Sequence, residues 1–366
     1  MVVSNPFKPT AGKTPPMLIG RDEAVNNFIE AIDNGPGAPG RLARVSGMRG
    51  MGKTVLLNEF GRIAEDRGWL VVEETATPGY CARILEELTP RTRVKGFRAE
   101  PSVLGVSLGG IEVERASLSL RDAMGHALES RRGGLLITLD EVQDASIEET
   151  RALAVAIQHM IRDDAEIAFV FAGLPVMVDE VINGESLTFL RRAEPICLGF
   201  IGLVEVAKSF EETIAESGIR IDAEQAGELA AATHGHPFMV QLVGYHTWQS
   251  AYRRDGVAAS VTAADIEYGI AEARERFDAI VIEPVIRHLS VAARQYLDAM
   301  SRDGDGPSST SDIAARLAKS TTSLSSVRAK LIDAGVIEPA GRGLVRFTIP
   351  FMAAYFAACR EGGVDE

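Results

Sequence analysis

The residues with the most specific chemistry are Gly47-Met48-Arg49-Gly50-Met51-Gly52-Lys53-Thr54, which match G-x-x-x-x-G-K-[ST]. Glycines at these positions let the backbone curl around an anion with its N–H groups pointing inward, in conformations that a Cβ closes off. A helix beginning at Lys53 would turn its N-terminal dipole toward the same anion. Lys53 is expected to place a point charge on the β/γ oxygens of a nucleotide, and the Thr54 hydroxyl to ligate Mg2+. The second constellation is Asp140-Glu141, delivered by the apolar run Leu135-Leu136-Ile137-Thr138-Leu139. In a parallel sheet that end of the strand lies beside the phosphate loop. Asp140 is then expected to hold the Mg2+ shell through water, and Glu141 to orient and polarise the attacking water. An acidic pair after a strand also serves as a helix N-cap. The phosphate loop upstream is what favours the catalytic reading. Met48 and Met51 are read as packing residues.

The elements that must position these groups can be read from periodicity. Val25, Phe28, Ile29 and Ile32 give a helical stripe over Asp22 to Ile32. Leu42 to Ser46, Lys53 to Arg67 and Trp69 to Glu74 then read strand, helix, strand, the pattern of a parallel sheet. Residues 103 to 113 alternate around Gly109-Gly110 and read as a hairpin candidate, before a helix over Leu118 to Ser130. Leu135 to Leu139 is continuous and apolar, as expected of a strand covered on both faces. A helix over Ile147 to Arg162 and a strand over Glu166 to Phe171 complete a third α/β unit. From Val204 to Ala273 the pattern is wholly helical, broken at His234-Gly235-His236-Pro237. Phe277 to His288 reads as a linker. His159, His234 and His236 are read as ordinary surface or turn histidines.

Four weaker motifs, in order with the two constellations above, add a resemblance. Leu18-Ile19-Gly20-Arg21-Asp22-Glu23, the two loops above, Ala172-Gly173-Leu174-Pro175, Phe189-Leu190-Arg191-Arg192 before Ile196-Cys197-Leu198, and His234-Gly235-His236-Pro237 span about residues 17 to 250. In this the chain resembles AAA+ proteins of the origin-recognition type and the related STAND and archaeal-type ATPases. The resemblance implies ATP or ADP with Mg2+ bound between an α/β domain and a helical lid. It implies nucleotide contacts from Ile19, Gly20 and Arg21, from Gly47 through the loop to Thr54 and Val55, and from Pro237. It also implies an arginine finger, Arg192 or its neighbour Arg191, offered to another copy of the chain. Two departures stand out. The fourth strand ends Phe171-Ala172-Gly173, without the polar sensor 1 residue of those families, and no sensor 2 arginine follows Pro237. The implied ATPase is therefore slow, or conditional on Arg192 reaching a neighbour.

The C-terminal segment fits a winged helix-turn-helix. Leu289 to Met300 gives a first helix, Asp312 to Ala318 a second capped by Ser311, and Thr322 to Ala334 a third closed by Gly335. Val336 to Glu338 and Leu344 to Ile349 flank a wing. Leu324, Val327, Leu331 and Ile332 mark the buried stripe of the third helix, leaving Ser325, Ser326, Arg328 and Ala329 outward. With Arg342 at the wing tip and Lys319 and Arg316 on phosphates, this is a candidate duplex-DNA face. In STAND proteins the equivalent module instead packs as a regulatory lid.

Charge and composition bound the alternatives. The 366-residue chain carries a net charge of −13, but residues 285 to 360 are +4 and the remainder −17. A protein coating nucleic acid with its whole surface is excluded; contact through one module is not. No apolar run approaches a membrane span, and the first sixteen residues read as a flexible arm without a secretory signal, which gives a cytoplasmic expectation. Cys81, Cys197 and Cys359 lie far apart, so neither a disulfide framework nor a zinc site is indicated. The expected fold is an α/β P-loop NTPase parallel sheet (17–203) with a helical lid (204–276), then a C-terminal winged helix-turn-helix (277–366). The expected activity is hydrolysis of ATP to ADP and phosphate, with nucleotide state setting the position of the winged helix. The alternative is a nucleotide-gated DNA-binding protein similar in layout to origin-recognition initiators.

Overall fold

Two apolar strands buried along their whole length fix the centre of the first unit. In a computed structural model, which describes residues 4–10, 12, 18–89, 110–130, 133–183 and 188–361, the chain divides into two compact units. One comprises residues 21–47 and 53–198; the other comprises 1–20, 48–52 and 199–366.

The sheet unit runs α1 (Asp22–Asp33), β1 (Leu42–Gly47), α2 (Lys53–Asp66), β2 (Leu70–Thr75), α3 (Tyr80–Leu88), α4 (Gly110–Glu129), β3 (Leu135–Asp140), α5 (Ile147–Arg162), β4 (Ile167–Gly173), α6 (Pro175–Asn183) and β5 (Glu194–Leu198). The strands form one parallel sheet in the order β2-β3-β4-β1-β5. Every residue of β3 and β4 is buried, the property expected of strands covered on both faces. Ile137, Phe169 and Phe171 pack with Tyr80, Ile84, Met124 and Ile157. Each such large side chain contributes roughly 1.5–3 kcal/mol by leaving water. The register pairs Ser46 with Gly173 and Leu139 with Phe171, so β1, β3 and β4 end together. Of the hairpin candidate, residues 103–109 lie outside the described residues, and 110–113 are the first turn of α4 rather than a strand.

The second unit continues with α7 (Leu203–Glu216), α8 (Ala223–Thr233), α9 (Pro237–Asp255), α10 (Ala263–Phe277), a π turn (Asp278–Ile282), α11 (Glu283–Arg287), α12 (Val291–Ser301), β6 (Ser308–Ser309), α13 (Thr310–Arg316), α14 (Ser325–Asp333), β7 (Ile337–Pro339), β8 (Leu344–Phe347) and α15 (Met352–Glu361). The capping boxes of Asp222 with Gln225 and Thr262 with Asp265 start α8 and α10. The strands β6, β8 and β7 form a small antiparallel sheet beside α12 to α14, a layout consistent with a winged helix. The helical and C-terminal segments share one core, in which Trp248, Phe277, Tyr296, Leu331 and Met352 are all buried.

Two further readings change. Residues 4–10 do not behave as a flexible arm. Phe7 is 1% exposed and lies 5.8 Å from the Phe210 ring, while Asn5 donates to the Tyr245 carbonyl. Phe277 to His288 is not a linker, because the π turn and α11 carry the helix on and Pro284 sits in the first turn of α11, where no N–H is needed. After β8 comes α15, a helix absent from the sequence reading, whose Met352, Ala353 and Phe356 are buried.

Candidate functional site

The phosphate loop leaves β1 at Gly47 and re-enters regular structure at Lys53, the first residue of α2. Gly50 (φ +77°) and Gly52 (φ +87°) hold the left-handed conformations the motif requires. Lys53 is buried, and its Nζ donates to the Gly47 carbonyl at 2.9 Å, pinning the ammonium across the mouth of the loop. The Thr54 hydroxyl donates to Asp140 Oδ2 at 2.5 Å. The first residue after the sequence lysine and the last residue of β3 therefore meet, 86 positions apart in the chain. Burial pushes the Asp140 carboxyl above its ordinary value; the Thr54 bond pulls it back, and the neighbouring Glu141 adds to the rise. A hydroxyl and a carboxylate oxygen in contact beside a lysine form a hard donor pair that fits Mg2+, a cation that keeps waters and phosphate oxygens as its other ligands. Among the described residues no cluster of three or more His, Cys, Asp or Glu side chains forms a metal cage of its own.

Glu141 follows Asp140 in a left-handed conformation (φ 55°), rare outside glycine, and its N–H donates to Asp140 Oδ1 at 2.9 Å. Its Oε2 accepts from Gln143 Nε2. Gln143 was not anticipated from the sequence. Its only signal there was its place two residues beyond the acidic pair.

The apex of the loop, 48–52, groups with the helical unit. A Cβ on Gly50 would lie 2.6 Å from His236 Cε1, so the imidazole edge rests directly on the loop. His236 is 1% exposed, which corrects its reading as an ordinary turn histidine; burial pushes its pKa down to about 4 and the ring is neutral at neutral pH. Pro237 opens α9 next to it. Met51 is buried, as expected of a packing residue, and Arg49 is exposed. Ile19 packs on the core of the helical unit, and Gly20 (φ +64°) lies against Ile201 and Glu205 of the same unit. Arg21 stands at the N-cap of α1, and Val55 in the first turn of α2 is half-buried.

Arg191 and Arg192 close a 3-10 turn before β5, and both are exposed. Arg191 Nε donates to the Ile182 carbonyl at 3.2 Å. In the C-terminal segment Ser325 and Arg342 are exposed and Arg328 is half-exposed. Arg316, read above as a phosphate contact, is instead locked to Asp303 and to the Ala299 carbonyl. Arg346 pairs with Glu338 and Arg360 with Asp298.

Comparison with known proteins bears on the fold. Residues 17–170 match the AAA ATPase domain family, and residues 280–356 match a domain of unknown function (DUF8462). No curated protein matches the chain. Among solved structures, the chain is similar to the Walker-type ATPase PABY2304 of Pyrococcus abyssi, with a TM-score of 0.62 at 16% identity, covering 93% of this chain and 96% of that one. It is similar to the Aeropyrum pernix ORC2 protein, solved in ADPNP–ADP complexes, with a TM-score of 0.66 at 13% identity, covering 97% and 98%. It is also similar to Cdc6p from Pyrobaculum aerophilum, with a TM-score of 0.52 at 14% identity, covering 96% of each chain. At these identities the likeness is one of fold: a P-loop ATPase fold resembling origin-recognition AAA+ proteins. No helix among the described residues is long and apolar enough to cross a membrane.

Proposed function

We propose that this chain binds Mg-ATP on the 47–54 loop, hydrolyses it slowly to ADP and phosphate, and uses its nucleotide state to set the position of the C-terminal module. The observation that carries the reading is the Thr54–Asp140 bond beside the buried Lys53, which joins the phosphate loop and the acidic strand end in one site. Lys53 neutralises β/γ oxygens; Thr54 and Asp140 hold the cation; Glu141 accepts a proton from the attacking water. Bound Mg2+ would supply charge neutralisation on the transferred phosphoryl group. Of the two arginines, Arg191 is tethered to the Ile182 carbonyl, which favours Arg192 as the finger offered to a second copy of the chain.

The switch part rests on a packed path inside the helical unit. His236, against Gly50 of the loop apex, meets the Phe277 ring edge-on at 5.0 Å. Phe277 meets Phe351 at 5.5 Å, and the Arg274 guanidinium lies over Phe351 at 4.6 Å while donating to its carbonyl. Phe351 holds φ +67°, a strained value for an aromatic residue, directly before α15. A loop apex that shifts on nucleotide binding thus presses on a residue at the root of the terminal helix.

Radiolabelled ATP binding and turnover test this. Wild type is expected to bind and turn over slowly, and Glu141→Gln to bind but not turn over. Retained turnover in Glu141→Gln would remove the assigned base. A second reading, DNA contact through the C-terminal module, is favoured by the exposure of Ser325, Lys319 and Arg342 on that segment. It expects duplex binding with a salt slope that flattens in Arg342→Ala.

A further inference from the structure

Among the described residues, Gln143 makes a side-chain hydrogen bond to the proposed base that no step above uses. It lies in the 3-10 turn Val142–Asp144 that follows β3, and its amide nitrogen donates to Glu141 Oε2. Its amide oxygen is buried without a hydrogen-bond partner. That oxygen sits against the end of β4: a Cβ on Gly173 would lie 3.2 Å from it and 2.7 Å from Val142 Cγ2. Gly173 pairs in register with Ser46, the residue before the phosphate loop begins. A glycine, rather than a polar residue, at the end of β4 therefore leaves the space that the glutamine fills.

We propose that Gln143 is the water-positioning residue of this ATPase, an inference that rests on the function proposed above. A buried amide oxygen without a donor is costly, and a water admitted beside it with the nucleotide relieves that cost by giving one hydrogen to Gln143 Oε1. Its other hydrogen is then available to the Oε1 of Glu141, whose carboxylate is held at Oε2 by the Gln143 amide. A lone pair of that water is left for the γ-phosphorus of bound ATP. The water oxygen forms its bond to phosphorus as the bond to the ADP oxygen breaks, one proton passes to Glu141, and inorganic phosphate and ADP leave. An amide that orients the attacking water is a recurrent part in phosphoryl transfer. Here it comes from the turn after the acidic pair. The polar group missing from the end of β4 in the sequence is thus supplied from the turn that follows the neighbouring strand β3.

The test is a split between turnover and binding in Gln143→Leu and the isosteric Gln143→Glu. Turnover per site is measured with radiolabelled ATP, and affinity with a non-hydrolysable ATP analogue. The expected result is a loss of turnover of about ten- to a hundredfold with analogue affinity within about twofold of wild type. Unchanged turnover in both single variants overturns the inference and leaves the ATPase reading standing. Turnover lost only in parallel with analogue affinity also overturns it, by assigning Gln143 a structural part. A wild type that binds the analogue but does not hydrolyse ATP overturns hydrolysis and this role together.

Discussion

At the residue scale, the groups legible in the sequence are those whose chemistry dictates their neighbours. A phosphate loop needs glycine, lysine and a hydroxyl in fixed order, so Gly50, Gly52, Lys53 and Thr54 could be named before any geometry; that the strand-end Asp140 accepts from the Thr54 hydroxyl could not. Gln143 and His236 were not legible, because their importance comes from what lies against them. Nothing local marks a glutamine as reaching Glu141, or a histidine in a Gly-His-Pro turn as packed on Gly50. The burial of His236 carries a pH signature. Its native pKa is lowered to about 4 from 6.5, so the unfolded chain takes up a proton that the folded chain refuses as pH falls through that interval. The stability of the neutral form is complete above about pH 6.5 and is lost toward pH 4. Denaturant unfolding at pH 7 and pH 4.5 should show wild type losing about 2–3 kcal/mol more than His236→Leu over that interval. Equal losses would contradict a buried neutral ring.

At the scale of elements, long periodic segments were read well and junctions were not. Helix α5 falls where its apolar period put it, Ile147–Arg162, and β3 and β4 are buried throughout as continuous apolar runs should be. The misreadings share a cause: a breaker residue was given its usual weight where its position made it harmless. Pro284 lies in the first turn of α11, inside the segment read as a linker, and Gly110 begins α4 instead of turning a hairpin. The converse holds at Gly50, where a side chain meets both the positive φ and the His236 ring. Gly50→Ala should cost roughly 1–3 kcal/mol in chemical denaturation. Adding His236→Ala should recover part of that cost, because the steric component is shared while the backbone strain is not. Strict additivity would place the ring elsewhere.

At the scale of the molecule, the helical and C-terminal segments share a core that reaches back to the start of the chain. Periodicity finds helices but cannot report that Phe7, forty residues before the phosphate loop, is buried among α7 and α9 side chains. Phe7→Ala should cost about 3–5 kcal/mol of unfolding free energy, seen as a lower midpoint in urea; a change within about 0.5 kcal/mol would restore the flexible-arm reading. Charge behaves similarly. The +4 of residues 285 to 360 is real in the sequence, but Arg316, Arg346 and Arg360 are engaged by Asp303, Glu338 and Asp298. The field left for a polyanion comes chiefly from exposed side chains such as Lys319, Lys330 and Arg342.

The central claim, that the 47–54 loop with Asp140 is a Mg-ATP site, is tested most directly by isothermal titration of Mg-ATP into wild type and Lys53→Ala. The account expects saturable one-to-one binding by wild type and at least a tenfold weakening in Lys53→Ala, the loss of one charge-assisted phosphate contact. Equal affinity in the two proteins, or no heat of binding in wild type at millimolar nucleotide, would contradict it.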